Sequence, residues 1–315
     1  MASVGSVLLC TLLFSAPAPA EDSVDLPLGW EVGQRLQYEI VKSSRKTRGD
    51  QVAAKPTTRT DLEIEVLRAD SDGYLIAWTQ GETRFDDPQM AAQPMVQRMA
   101  NITRGLRVLL EIDSEANVAG VENWQELKET VGKFIATISD ELKISGIDPG
   151  MLSKITAQLA SMYATREQIE MMCTREPRMF FLVLGGSFSA SEPSEYQDRL
   201  PNPFGGEPFP SRAAFVLKEV DRQSQRATIA WTQTLDPQHA RRIMEKSLKD
   251  LAARVGGPVP QGDVLESMMV EDTAEFVVDL SSGWLDRLSH KRLVSTGTVT
   301  QEDVLAIARK PADSR

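Results

Sequence analysis

Histidine and cysteine are almost missing from this chain, which has two of each among 315 residues. His239 and His290 stand far apart, and no HxxxH, HExxH or CxxC spacing occurs. Metal sites with recognisable His/Cys spacing are therefore excluded. No G-x-S-x-G elbow is present to place a serine nucleophile, so a Ser–His–acid site would need His290 with Asp286 or another carboxylate. The stretch DSDG (Asp70–Gly73) begins like a calcium loop but lacks its bidentate Glu, and reads as a hairpin turn. GGSFSAS (Gly185–Ser191) lacks the Lys and the following helix of a phosphate-binding loop. No cofactor is implied.

Positive charge is also short. Lys and Arg total 35 against 45 Asp and Glu, a net charge of -10. Such a chain is repelled by nucleic-acid phosphates and anionic lipid surfaces. The basic segments Ser43–Gly49 and His239–Arg242 are too short to reverse that. Long apolar runs are missing as well. The nearest, MFFLVLGG (Met179–Gly186), has the length of a strand and not of a membrane span.

What is present begins with an export pattern. MASVGSVLLCTLLFSAPAPA has an apolar core from Val7 to Phe14 and small residues at Ala18 and Ala20, followed by Glu21-Asp22. That predicts a signal peptide over 1–20, cleaved after Ala20, and a periplasmic or extracellular protein. No Lys or Arg precedes the apolar core, so either the start amine supplies the charge or translation starts upstream. A lipid anchor at Cys10 is disfavoured, because Leu9 stands where a small residue is required. Cys173 is then alone, without an internal disulfide, and its place beside Met171 and Met172 predicts a buried thiol.

The pentapeptide IAWTQ occurs twice, at Ile76–Gln80 and Ile229–Gln233. Each copy follows an alternating apolar strand and a polar turn, Asp70–Gly73 or Asp221–Arg226, and the two flanks align without a gap. Each is followed by Asp-Pro-Gln, Asp87–Gln89 or Asp236–Gln238, where Asp caps a helix and Pro takes its first position. The second helix carries Ala240, Met244, Leu248, Leu251 and Val255 at helical spacing and stops at Gly256-Gly257-Pro258. The first is interrupted by Pro94. A second hairpin follows in each half, Leu106–Val121 and Ala274–Ser289, with Asn117 and Gly283 at left-handed turn positions. A fainter match pairs Leu26–Val41 with Arg178–Ser191, each with a Gly at the start of a strand.

These matches predict an α+β protein, a tandem duplication of a curved antiparallel hairpin–helix–hairpin unit. The units span 21–121 and 176–310, joined by a helical connector over 122–175 and followed by a disordered tail at 311–315. The connector places Trp124, Leu127, Val131, Phe134, Ile138 and Leu142 on one stripe, and a second helix carries Leu152, Ile155, Leu159, Met162 and Ile169. Ser191–Arg212, with its Pro and Gly, reads as an irregular surface loop. Whether the halves share one sheet is left open.

The segments WEVGQRLQYEI, the strand pair turning at Asp72-Gly73, and EIDSEANVAGVENWQELKE together resemble a group of uncharacterised exported bacterial β-rich proteins, domains of unknown function. Their fold is similar to the lipoprotein carriers of the bacterial envelope. The resemblance implies an exported location and a curved antiparallel sheet wrapped on a helix, and carries over no catalytic residue.

Trp78 and Trp231 lie at matched positions, on the same face of their strands as Ile76 and Ile229. They are the candidate ligand-binding residues, lining either a packed core or a cavity between sheet and helix. The functional reading is a non-enzymatic protein binding a hydrophobic ligand or an envelope protein partner. Two others stay open: an exported carboxylate-dependent hydrolase, and a purely structural envelope protein.

Overall fold

The computed structural model describes residues 23–311 except 145, 191, 201–206 and 256–268. The leader, its cleavage point, Cys10, the Gly256–Pro258 stop and most of the tail lie outside the described residues.

The chain opens with a short strand β1 (Ser23–Asp25), then three long strands, β2 (Arg35–Arg48), β3 (Gln51–Asp70) and β4 (Gly73–Phe85). Helices α1 (Pro88–Ala91) and α2 (Pro94–Thr103) lead to the hairpin β5 (Arg107–Asp113) and β6 (Val118–Val121). Four helices follow: α3 (Trp124–Ile144), α4 (Pro149–Met162), α5 (Arg166–Cys173) and α6 (Arg175–Phe181). The second half contains β7 (Ser187–Ser189), β8 (Ser194–Leu200), β9 (Phe209–Asp221), β10 (Arg226–Leu235), α7 (Pro237–Val255), β11 (Met269–Asp279), β12 (Trp284–Thr296) and β13 (Val299–Arg309). The fold is α+β, dominated by one large antiparallel sheet.

That sheet has eleven strands in the order β6-β5-β4-β3-β2-β13-β12-β11-β10-β9-β8. Both halves therefore share one sheet, joined where β13 pairs with β2. β1 and β7 form a separate two-stranded ribbon. The sheet curls. Tyr74 on β4 and Trp284 on β12 are four strand spacings apart, about 19 Å in a flat sheet. Yet the ring of Trp30 lies 4.8 Å from Tyr74 and 4.4 Å from Trp284. The curl turns one face inward and the other to water. On β2 the pattern is explicit: Leu36, Tyr38 and Ile40 are buried, while Gln37 between them and Arg35 before them are exposed. Helix α6 sits inside the curl, where Phe180 meets Tyr38 and Trp78 edge-on at 5.2 and 5.5 Å. The end bearing the hairpin turns is sealed by Trp30, Phe181 and Trp284. Helices α1, α2 and α7 follow strands that end at the other rim.

The two IAWTQ copies fall on β4 and β10, each between a hairpin partner and the strand that returns from the helix. The ladders also share their irregularities. The register shifts between Val66 and Arg68 opposite Leu75/Ile76, and between Leu217 and Glu219 opposite Thr228/Ile229. It shifts again between Glu111 and Ile112 in one half and between Val277 and Val278 in the other. An unpaired residue at a matched place bends and twists both strands alike.

Several expectations change. The hairpins do not align without a gap, because the first turns between Asp70 and Gly73 and the second between Asp221 and Arg226. The two extra residues preserve the inward row, since strands repeat every second residue. Asn117 is not the left-handed residue; Ala116 is, at φ 65, opposite Gly283 at φ 69 in the matching hairpin. Asp113 explains this by accepting the backbone N–H groups of Glu115 and Asn117, a turn that fixes Ala116 between them. Ser191–Arg212 is not one loop, since β8 pairs with β9 along Ser194–Leu200. Met179–Gly186 is not a strand; it is helical through Phe181 and becomes β7 only after Gly186. The second connector helix breaks after Met162, where Thr165 and Gln168 form a reciprocal cap that starts α5.

Candidate functional site

The inner face of the second half changes character along its strands. Nearest the sealed end a row of Ile229, Phe276, Leu288, Ile307 and Ile40 crosses five strands. The next row toward the open rim reads Trp231, Ala274, His290, Leu305 and Lys42. The row after that is polar: Gln233, Asp272, Arg292, Asp303 and Ser44. Beyond it Leu235, Val270 and Val294 are apolar again and pack under Ala240, Ile243 and Met244 of α7. A polar belt is thus enclosed between two apolar zones.

Buried polar groups require partners, and most of this belt has them. Gln233 donates from Nε2 to Asp198 Oδ2 at 2.9 Å and to Ser211 Oγ at 3.0 Å. His290 Nε2 and Asp272 Oδ1 are 2.8 Å apart, with both side chains almost wholly buried. Asp272 Oδ2 has no hydrogen-bond donor among the described residues; the nearest cation is Arg292, with Nη1 at 3.8 Å. Trp231 donates from Nε1 to Tyr196 Oη at 2.9 Å, and burial pushes that phenol above its ordinary range. The ring of Trp231 lies 6.3 Å from His290.

A cleft of about 360 Å³ opens beside this belt. Its walls are Lys42 and Ser44 of β2, Lys55 of β3, Arg175 and Met179 of α6, and His290, Asp303 and Leu305 of β12 and β13. Lys42 Nζ bonds Glu176 Oε1 at 2.6 Å and ties α6 to the sheet. Asp303 accepts from Gln301 Nε2 at 2.9 Å. Lys55 and Arg175 have no ion pair among the described residues. The size falls within the range of small-molecule sites.

Trp78 and Trp231 occupy matched places but do not come together. Trp78 is buried between Ile64 and Val108 and covered by Phe180. Trp231 is buried between Phe215 and Ala274, next to His290. The pairing of His290 with Asp286 does not occur: His290 takes Asp272, and Asp286 holds Arg226 Nε at 2.8 Å. His239 is exposed and bonds Asp236 at the start of α7. Burial raises the Cys173 thiol to about 11, so it is protonated at neutral pH. Among the described residues no group of three His, Cys, Asp or Glu is placed to hold a metal ion, and no helix is long and apolar enough to cross a membrane. Asp272 was missed by sequence reasoning. Its signal was the alternation Val270, Asp272, Ala274, Phe276, Val278, which puts a carboxylate in an inward apolar row.

No family model matches the chain, and no curated protein matches it. Among solved structures it is similar to lipovitellin, from work on lipid–protein interactions, at TM-score 0.43 and 9% identity over 90% of this chain. The chain spans about a quarter of that protein's length, 26%.

Proposed function

We propose that this is an exported protein of the bacterial envelope that binds a hydrophobic ligand without chemistry, in the cleft between α6 and the polar belt. The observation that carries the reading is the cleft itself, where Met179 and Leu305 stand against the apolar inner face and polar side chains stand at the mouth. Ligand sites combine such apolar walls with a few placed polar groups. Trp231 is buried behind the cleft, next to its wall residue His290, whereas Trp78 is packed into the core of the first half beneath Phe180. Export rests on the leader pattern of 1–20. The matched bulges support a duplicated unit as the origin of the two halves.

A hydrolase is the second reading, and the buried Asp272–His290 pair is the feature that favours it. A carboxylate holding an imidazole is part of many hydrolytic sites.

Native mass spectrometry of the protein purified gently from its host envelope, with organic extraction, tests the first reading. A stoichiometric apolar molecule is expected. A clean unliganded mass, together with turnover of generic ester substrates lost in His290→Ala, would replace it with the second.

A further inference from the structure

The charge at the cleft opposes the charge of the chain. The whole protein carries a net charge of -10, yet the cleft is lined by Lys42, Lys55 and Arg175 against Glu176 and Asp303. The two acids are already engaged. Glu176 is bonded by Lys42 at 2.6 Å, and Asp303 accepts from Gln301 and lies opposite Arg292 across the β12–β13 ladder. Lys55 and Arg175, from β3 and from α6, face the same opening without ion pairs among the described residues. His290 adds a further group. Its Nε2 is held by Asp272, so Nδ1 is the ring atom left for the cleft, where it has no hydrogen bond among the described residues. Ser44 and Thr58 bring hydroxyl donors to the same walls. Behind these groups the surface is apolar, at Met179 and Leu305.

Lys55 and Arg175 are exposed at the rim of this opening and have no ion pair among the described residues, so they are free to draw an anion toward it, in a salt-dependent way. An apolar wall behind a cationic mouth fits a molecule with an anionic head and an aliphatic tail. Resting on the proposed hydrophobic-ligand reading, we propose that the cleft selects single-chain amphiphiles with an anionic head group, the head held by Lys55 and Arg175 and the chain laid along Met179 and Leu305. The volume of about 360 Å³ lies at the small end of ligand sites and suits one chain.

Isothermal titration calorimetry with dodecanoate, dodecanol and dodecylamine, each below its micelle concentration, tests this. Dodecanoate is expected to bind at least about tenfold tighter than dodecanol, and dodecylamine weakest. In the double variant Lys55→Glu/Arg175→Glu, whose side chains are exposed and have no hydrogen bond or ion pair among the described residues, the preference for dodecanoate over dodecanol should vanish. Equal binding of anion and alcohol, tighter binding of the amine, or an anion preference surviving in the double variant would overturn the proposal and leave the hydrophobic-ligand reading intact. Binding of none of the three would overturn that reading, and this proposal with it.

Discussion

The two halves of the sheet place the same pentapeptide, the same bulges and the same tryptophan in corresponding positions, and then fill the space above the tryptophan differently. Over Trp78 lies Phe180, the strand beside it supplies Val108, and the partly buried Leu106 stands just before that strand. Over Trp231 lies His290, and the matching strand supplies Ala274 and Asp272. Gln80 and Gln233 fix the equivalence. The first donates its backbone N–H to Leu106 O and accepts from the N–H of Gly105, and the second stands opposite Asp272. Two stretches with similar ladders are packed differently, one as a core and the other as a polar belt with a cleft. The lesson is that the ladder sets where side chains point, and the side chains decide whether the space is filled or open.

The largest effects separate the two tryptophans. Trp78→Ala is expected to cost about 4 kcal/mol in urea denaturation and Trp231→Ala about 3 kcal/mol, both from lost packing around a large buried ring. Only Trp231→Ala should also weaken dodecanoate binding measured at equal folded fraction. Equal loss of binding in both variants would break the asymmetry.

Next comes the belt. Asp272→Ala leaves His290 buried without its partner and should lower stability by about 2–3 kcal/mol. Asp272→Leu combined with His290→Leu makes these two neighbouring rows more apolar, as in the first half, and should lie within about 1 kcal/mol of the wild type, because two well-packed apolar groups replace a buried polar pair. A double variant as damaged as the single one would show that the pair is not separable from its surroundings.

The smallest effect contrasts the inner face with the outer. On the outside Asp61 accepts Arg84 at 2.8 and 2.9 Å and Lys310 at 2.7 Å, and these cations hold its carboxyl well below the usual carboxylate range. A carboxyl depressed in the folded state contributes stability that is full above its unfolded value, about pH 4, and is lost as pH falls through the lower folded value. Asp61→Asn is therefore expected to cost about 1 kcal/mol at pH 7, limited by solvent screening of a surface network. The difference from wild type should shrink steadily in denaturation curves taken below pH 4.

Much of this architecture was legible in the residues. Alternation in Leu62, Ile64 and Val66, the Asp-Pro helix starts and the repeated pentapeptide located both hairpins, both helices and the inward tryptophans. Other parts depended on tertiary context. Met179, Phe180 and Phe181 have strand-like composition, but as a helix inside the curl they pack Phe180 against Tyr38 and Trp78 and Phe181 against Trp30. The strand Ser194–Leu200 is polar along most of its length because it is the sheet edge, so its sequence carries no alternation to read. Lys55 and Arg175 are 120 positions apart in sequence, and only the docking of α6 brings them to one opening.

The most direct test of the account is photocrosslinking with a dodecanoate analogue that carries a diazirine on its chain, followed by peptide mapping. Labels are expected on α6 near Met179 and on β13 near Leu305. Labels concentrated instead around Trp78 and Val108 in the first half, or on the exposed methionines of α4 and α5, would contradict it.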